Sequence, residues 1–84
     1  MNTDIIELIE NWAATCDDVN PNGSITRVAD NIMNANNIDP DDVDSEYDAI
    51  YTKVLDAITP AYENLDGWID SNGFYGIIMN EYCM

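Results

Sequence analysis

The chain has 84 residues, with 17 Asp or Glu against two Lys or Arg, and its formal net charge is -15 at pH 7. Because 46% of the residues are hydrophobic, including two Trp and five Tyr, the composition excludes a disordered acidic tail. The length allows one domain, which we expect to span residues 1–84. Such one-sided charge disfavours contact with nucleic acid or an anionic membrane, so we expect a positively charged protein partner.

Two amphipathic helices are predicted in the first part of the chain. The first begins at the N-cap Asp4, and its apolar face consists of Ile5, Leu8, Ile9, Trp12, Ala13 and Cys16. Residues 17–23 are rich in Asn, Pro and Gly and predict a turn. The second helix follows the N-cap Ser24 and frays near Asn36, and its apolar face consists of Ile25, Val28, Ala29, Ile32 and Met33.

A third helix is predicted to open at Asp39 and Pro40, because Pro and carboxylates suit a first helical turn. Its apolar stripe consists of Tyr47, Ile50, Tyr51, Val54, Leu55 and Ile58. Pro60 predicts a kink or a restart with Thr59 as cap. The next inward face is Tyr62, Leu65, Trp68 and Ile69, ending at Asn72 and Gly73.

Residues 74–82 predict a short terminal helix, although Gly76 and the aromatic residues leave a strand open. The expected fold class is therefore all-α, a compact bundle of four to five short helices.

Little in the sequence points to catalysis or to a cofactor. The chain has no His, no Gly-rich phosphate loop and no nucleophile with a plausible base, so we expect a protein that is not an enzyme and binds no cofactor. Cys16 and Cys83 are far apart, and we expect two buried or half-buried thiols. Without a basic stretch and apolar run at the start, or a membrane span, we expect a cytoplasmic location.

The densest acidic segment is a cluster of six carboxylates, Asp39, Asp41, Asp42, Asp44, Glu46 and Asp48. If this segment is helical, Asp41, Asp44 and Asp48 share one outward strip with steps of about 4.5 to 6 Å, a spacing comparable to the ~3.4 Å between phosphates along a DNA strand. The bland alternative is a solvated acidic face. The strip predicts a helix that fits a Lys/Arg-lined groove.

Two other motifs compete with this interpretation. Asp18, Asn20, Asn22 and Ser24 match alternate ligand positions of an EF-hand calcium loop. Ala29 stands at position 12, where an EF-hand has a bidentate Glu. A turn followed by a Ser N-cap is therefore the stronger interpretation, and a degenerate calcium loop is the weaker one. Asp44-Ser45 and Asp70-Ser71 match the Asp-Ser pair at which acyl carrier proteins hold their pantetheine arm. Glu46 and Asn72 follow where that family has an apolar residue, so a Ser at a helix start is the stronger interpretation.

The run Tyr47-Asp48-Ala49-Ile50 and the later stretch 56–62, Asp-Ala-Ile-Thr-Pro-Ala-Tyr, carry one family resemblance. They resemble a segment of the phage Ocr-type anti-restriction proteins, in which a D-A-I run leads into a helix broken by Pro, with a Tyr two residues on. The resemblance covers a short part of the chain. It implies an acidic helical protein that imitates the phosphate surface of DNA, as several anti-CRISPR and glycosylase-inhibitor proteins also do.

These features predict an inhibitor, encoded by a phage or mobile element and acting in the host cytoplasm, that blocks a basic nucleic-acid-binding protein or nuclease complex. The predicted contact strip is Asp41, Asp42, Asp44, Glu46, Asp48 and Asp56, and a second strip is Asp4, Glu7, Glu10, Asp17 and Asp18. The alternative is an immunity-type protein that neutralises a basic nuclease with Tyr47 and Tyr51 as aromatic anchors. A homodimer contact is a further option for this small chain.

Overall fold

The computed structural model describes residues 4–42 and 46–82, and that part of the chain forms four helices and one small sheet. The elements in chain order are α1 (Ile5–Ala13), β1 (Asp18–Val19), α2 (Ile25–Ala35), α3 (Tyr47–Glu63), β2 (Ile69–Asp70) and α4 (Ser71–Tyr82). The strands pair antiparallel, with Asp18 opposite Asp70 and Val19 opposite Ile69. The predicted class, a compact and mostly α-helical bundle, is confirmed.

The first two helices begin at their predicted caps. Asp4 Oδ1 accepts a hydrogen bond from the Ile6 amide at 3.0 Å, and Ser24 Oγ accepts one from the Thr26 amide at 3.3 Å. The chain leaves α1 through Cys16, whose φ of 57° is left-handed, so the first helix ends before Cys16 instead of including it. Cys16 is exposed, so the expectation of a buried or half-buried thiol is wrong at this position. Cys83 lies outside the described residues.

The core joins one face of each helix around two aromatic side chains. Trp12 and Phe74 meet edge to face with ring centroids 5.9 Å apart, and Tyr62 meets Phe74 in the same way at 6.4 Å. The Tyr62 hydroxyl also donates to the Asn20 carbonyl at 2.8 Å, which fixes the loop after β1 to α3. The other fully buried large side chains are Ile9, Val19, Ile32, Met33, Val54, Ile58 and Ile78.

The third helix begins later than predicted. Residues 39–42 form a turn in which the Asp42 amide donates to the Asp39 carbonyl at 3.1 Å, and α3 starts at Tyr47 after Glu46 with a left-handed φ of 55°. Asp41 therefore lies in a turn and not on the helix, and the helix predicted from Asp39 is wrong at its start. Carboxylates favour a first turn wherever it forms, but the apolar stripe that packs on the core begins only at Tyr47.

Pro60 does not end α3, so the predicted restart with Thr59 as cap is wrong. The helix continues through it to Glu63, because Ile58 and Ala61 on either side of the proline are both buried in the core. Tertiary packing thus outweighs the loss of one backbone donor. Asn64 ends the helix, and its side-chain amide donates to the Pro60 carbonyl at 3.0 Å.

The chain after α3 departs most from the prediction. Trp68, expected to face inward from a helix, lies in the connection to β2 and is 67% exposed. The last helix begins at Ser71, so the prediction that a helix ends at Asn72 and Gly73 is wrong. The same helix includes residues 74–82, for which the sequence left helix and strand open. Asp70 Oδ1 accepts a hydrogen bond from the Gly73 amide at 2.7 Å and so acts as the cap of α4.

A buried hydroxyl holds this cap region to the end of α1. Ser71 is fully buried, its Oγ donates to the Ala13 carbonyl at 2.9 Å and it accepts from the Asp17 amide at 3.0 Å. The Ser71 amide also donates to the Asp17 carbonyl at 2.6 Å. These bonds extend the short pairing of β1 with β2. Over the part of the chain described, none of the helices has the length and apolar character required to cross a membrane.

Candidate protein-binding surface

Two tyrosines at the start of α3 form an ordered aromatic pair beside a carboxylate of α2. Tyr47 and Tyr51 lie one helical turn apart, and their rings stack with centroids 5.6 Å apart and planes inclined by 20°. The Tyr47 hydroxyl donates to Asp30 Oδ1 at 3.1 Å. We call Asp30, Glu46, Tyr47, Asp48 and Tyr51 the tyrosine surface. Both tyrosines are half-buried, so the stacked pair is preformed and still partly accessible to a partner.

The electrostatics of this surface keep the phenols neutral. Partial burial, the hydrogen bond to Asp30 and the negative charge of that carboxylate raise the pKa of Tyr47 to about 12 from an ordinary 10.0. Partial burial and then the Asp30 charge raise the pKa of Tyr51. The surface therefore presents neutral phenol oxygens, which can accept hydrogen bonds, beside exposed carboxylates, a combination that suits Lys and Arg side chains of a partner.

The predicted contact strip is divided by the late start of α3. Glu46 and Asp48 lie exposed on the tyrosine surface, whereas Asp41 and Asp42 lie exposed in the preceding turn. Asp44 lies outside the described residues. The acidic residues of this region therefore come from a turn and a helix, so the uniform helical spacing expected for a single phosphate-like strip is not built by α3.

Asp56 is separated from the rest of the predicted strip. It lies eight residues beyond Asp48, or about 12 Å along the helix axis. There it lines a shallow cleft of about 310 Å³ between α1, α3 and α4, together with Lys53 and Glu81. A basic neighbour in the same cleft makes Asp56 a weaker part of any surface that contacts a cationic partner.

Asp30 was not among the predicted contact residues. Its carboxylate lies 17 positions before Tyr47 in sequence, and the contact exists because α2 packs against α3. The sequence places Asp30 on the outer face of α2, two positions before the buried Ile32, and so predicts an exposed side chain. It does not predict which helix lies beside Asp30.

The second predicted strip is also divided. Asp4, Glu7 and Glu10 lie exposed along α1. Asp17 instead belongs to an internal network, because its Oδ2 accepts from Trp12 Nε1 at 3.3 Å and from Asn31 Nδ2 at 2.9 Å. The Asp17 carboxylate is therefore not part of the surface that a partner contacts.

Two residues of the calcium-like motif, Asn20 and Ser24, use their side-chain oxygen atoms in local hydrogen bonds. Asn20 Oδ1 accepts from the Asn22 amide at 2.9 Å, and Ser24 Oγ lies 2.6 Å from Thr26 Oγ1 while capping α2. Asp18 lies exposed on β1. Within residues 4–42 and 46–82, no group of three or more His, Cys, Asp or Glu side chains is arranged to hold a metal ion.

Comparison of the chain with protein families, curated proteins and solved structures finds no match.

Proposed function

We propose that this protein is a non-enzymatic inhibitor that occupies the basic nucleic-acid-binding site of a host defence or DNA-processing protein, as anti-CRISPR and anti-restriction proteins do. The observation that carries the proposal is the net charge of -15 on a folded chain of 84 residues whose acidic side chains lie mostly on the surface. Such a molecule presents a strongly negative field that attracts a groove built for phosphates. A phage-encoded inhibitor of this kind acts in the host cytoplasm.

The tyrosine surface and the acidic turn before it are the proposed contact region. Carboxylates at Asp41, Glu46 and Asp48 provide the charge, while the stacked Tyr47 and Tyr51 provide rigid contact area at its centre. Aromatic side chains contribute disproportionately to binding energy at protein interfaces, and surface ion pairs contribute only about 0 to 1 kcal/mol each. Charge would steer the encounter and the tyrosines would anchor the complex.

The test begins with isolation of the partner by affinity capture from a bacterial lysate, followed by competition with duplex DNA. We expect DNA to displace the protein from its partner and the affinity to fall steeply as salt concentration rises. A partner that holds DNA and this protein at the same time would refute nucleic-acid mimicry.

A pair of charge-reversal variants separates local contact from overall charge. In one, Asp41, Glu46 and Asp48 are changed to Lys; in the control, the exposed acids Glu7, Glu10 and Asp66 are changed to Lys. Both variants change the net charge equally. The first should bind about 10- to 100-fold more weakly, since three pairs of up to about 1 kcal/mol are lost and replaced by repulsion. Equally weakened binding of the two variants would mean that the partner is attracted by the net charge of the molecule and does not contact this surface specifically.

An immunity-type inhibitor of a basic nuclease is the second candidate, and the ordered tyrosine pair favours it. Such a protein binds beside the nuclease active site and leaves DNA bound. The competition experiment therefore distinguishes the two candidates: displacement by DNA supports the mimic, and a ternary complex sensitive to Tyr51→Ala supports the immunity protein.

A further inference from the structure

Trp68 is an exposed aromatic side chain placed beside a cleft. Among the described residues it is the large hydrophobic side chain that stands exposed, at 67%, while the other tryptophan, Trp12, is 1% exposed and lies in the core. Trp68 follows Gly67 in the segment that connects α3 to β2. Tryptophan is one of the residue types enriched among the side chains that anchor protein partners.

The cleft beside Trp68 has a volume of about 260 Å³ and is polar on its other sides. Arg27 and Asn31 of α2 line one side, and Asp17 and Asp18 of the β1 region line the other. The hydrogen bond from Asn31 to Asp17 fixes the two sides relative to each other. The cleft is therefore held by secondary structure and an internal network, and it does not require rearrangement before binding.

The charge distribution of the cleft indicates the kind of group it accepts. Two acidic residues and one basic residue line the cleft: Asp17, Asp18 and Arg27. Asp17 Oδ2 already accepts a hydrogen bond from Asn31, so the exposed Asp18 is the carboxylate that remains accessible to a ligand. An aromatic face next to a carboxylate is the arrangement that recognises a guanidinium, which stacks on the ring and hydrogen-bonds to the oxygen atoms. Lys offers a compact ammonium with no planar face, so Arg suits this geometry better.

We infer that the cleft between Trp68 and Asp18 receives an arginine side chain of the basic partner. The inference rests on the proposed function for the origin of that arginine, and it adds the site at which the partner is anchored. The indole of Trp68 stacks against the guanidinium, and the Asp18 carboxylate accepts its hydrogen bonds. Arg27, in the same cleft, opposes the incoming cation and limits its affinity.

The experiment uses the whole protein and two synthetic peptides, tetra-arginine and tetra-lysine, which carry equal charge. The part of the intrinsic fluorescence change that is lost in Trp68→Ala reports on Trp68, because Trp12 remains in that variant, and calorimetry measures the affinity of the variants that lack Trp68. We expect tetra-arginine to bind about two- to fivefold more tightly than tetra-lysine, and Trp68→Ala to remove this preference. Thermal melting of Trp68→Ala should match the wild type, since the side chain is exposed.

Matched charge variants test the position of the site. Asp18→Asn should weaken tetra-arginine binding more than Glu7→Gln on α1, although both remove one negative charge. Arg27→Gln should strengthen binding more than Lys53→Gln, although both remove one positive charge and Lys53 lines the other cleft. Equal effects within each pair, or an arginine preference that survives Trp68→Ala, would show that the peptide follows the overall charge and would overturn the inference.

Three further outcomes show which of the two proposals is wrong. If sedimentation shows a dimer that Trp68→Ala dissociates, the occupant is a second copy of the chain and the inference is wrong. If the peptide results hold but DNA does not compete with the isolated partner, the cleft stands and the proposed function fails. If DNA competes but Trp68→Ala binds the partner and the peptides as the wild type does, the function stands and the cleft assignment fails.

Discussion

Removal of the buried hydroxyl at Ser71 tests how the cap region of α4 is held to the rest of the fold. The side chain is fully buried and makes two hydrogen bonds, to the Ala13 carbonyl at 2.9 Å and from the Asp17 amide at 3.0 Å. In Ser71→Ala the Ala13 carbonyl keeps the Cys16 amide as a partner at 3.3 Å, whereas the Asp17 amide loses its acceptor. We expect a loss of about 2 kcal/mol in the free energy of unfolding.

For a domain of this length, a loss of about 2 kcal/mol lowers the melting temperature by roughly 8 to 16 °C. Circular dichroism during thermal and urea unfolding measures the change. Asn72→Ala is the control, since the neighbouring side chain is exposed and its removal should change stability by less than about 0.5 kcal/mol. If Ser71→Ala and Asn72→Ala have the same melting temperature, water replaces the Ser71 hydroxyl as acceptor for the Asp17 amide, and the hydrogen bond contributes nothing to stability.

Four other measurements test the fold and its charge. Gly76→Ala should stabilise the protein by up to about 1 kcal/mol, because the added methyl group meets nothing within 4 Å. Gly73→Ala should stabilise it less or destabilise it, because the new Cβ would lie 2.9 Å from the Ile69 side chain. Urea unfolding of the two variants measures the difference. Folding raises the pKa of Tyr47 from 10.0 to about 12, so the neutral phenol stabilises the folded state. This stabilisation is fully present below pH 10.0 and is lost as the pH rises through about 12. The free energy of unfolding should therefore fall less steeply over that pH range in Tyr47→Phe than in the wild type. The melting temperature should rise between low salt and about 0.15 M NaCl, where the Debye length is roughly 8 Å, and a flat response would mean that repulsion costs little. Calorimetry should show no saturable calcium binding at about millimolar concentration, and an isotherm abolished by Asp18→Ala would contradict this.

The first two helices could be predicted because local and tertiary signals agree there. Asp4 and Ser24 are caps with a defined hydrogen-bonding role, and the apolar residues that follow each cap at helical spacing are those that enter the core. The start of α3 could not be predicted in the same way. Six acidic residues suit a helix N-terminus equally well over ten positions, so local preference does not specify which residue begins the helix.

The segment between α3 and α4 shows what a periodic pattern cannot reveal. Two-residue strands are too short to show alternation, so the pairing of β1 with β2 leaves no signal in the sequence. The helical spacing of Tyr62, Leu65 and Trp68 predicts that Trp68 faces inward. The helix ends at Glu63, however, so the path of the connecting segment decides the exposure of this side chain. The Trp68 cleft and the Asp30 contact were missed for the same reason, since each brings together residues that are distant in sequence.

Helix α2 connects the two surfaces considered for partner binding. Arg27 lines the Trp68 cleft, and Asp30, three residues later, accepts the hydrogen bond from Tyr47 on the tyrosine surface. Three residues correspond to about 4.5 Å along the helix, so a partner that crosses the outer face of α2 reaches both surfaces. In the proposed complex the cleft would provide a specific arginine contact, while the acidic turn and the tyrosine surface would provide charge and contact area. Binding through both would combine long-range attraction, which salt weakens, with a short-range aromatic contact that salt affects much less.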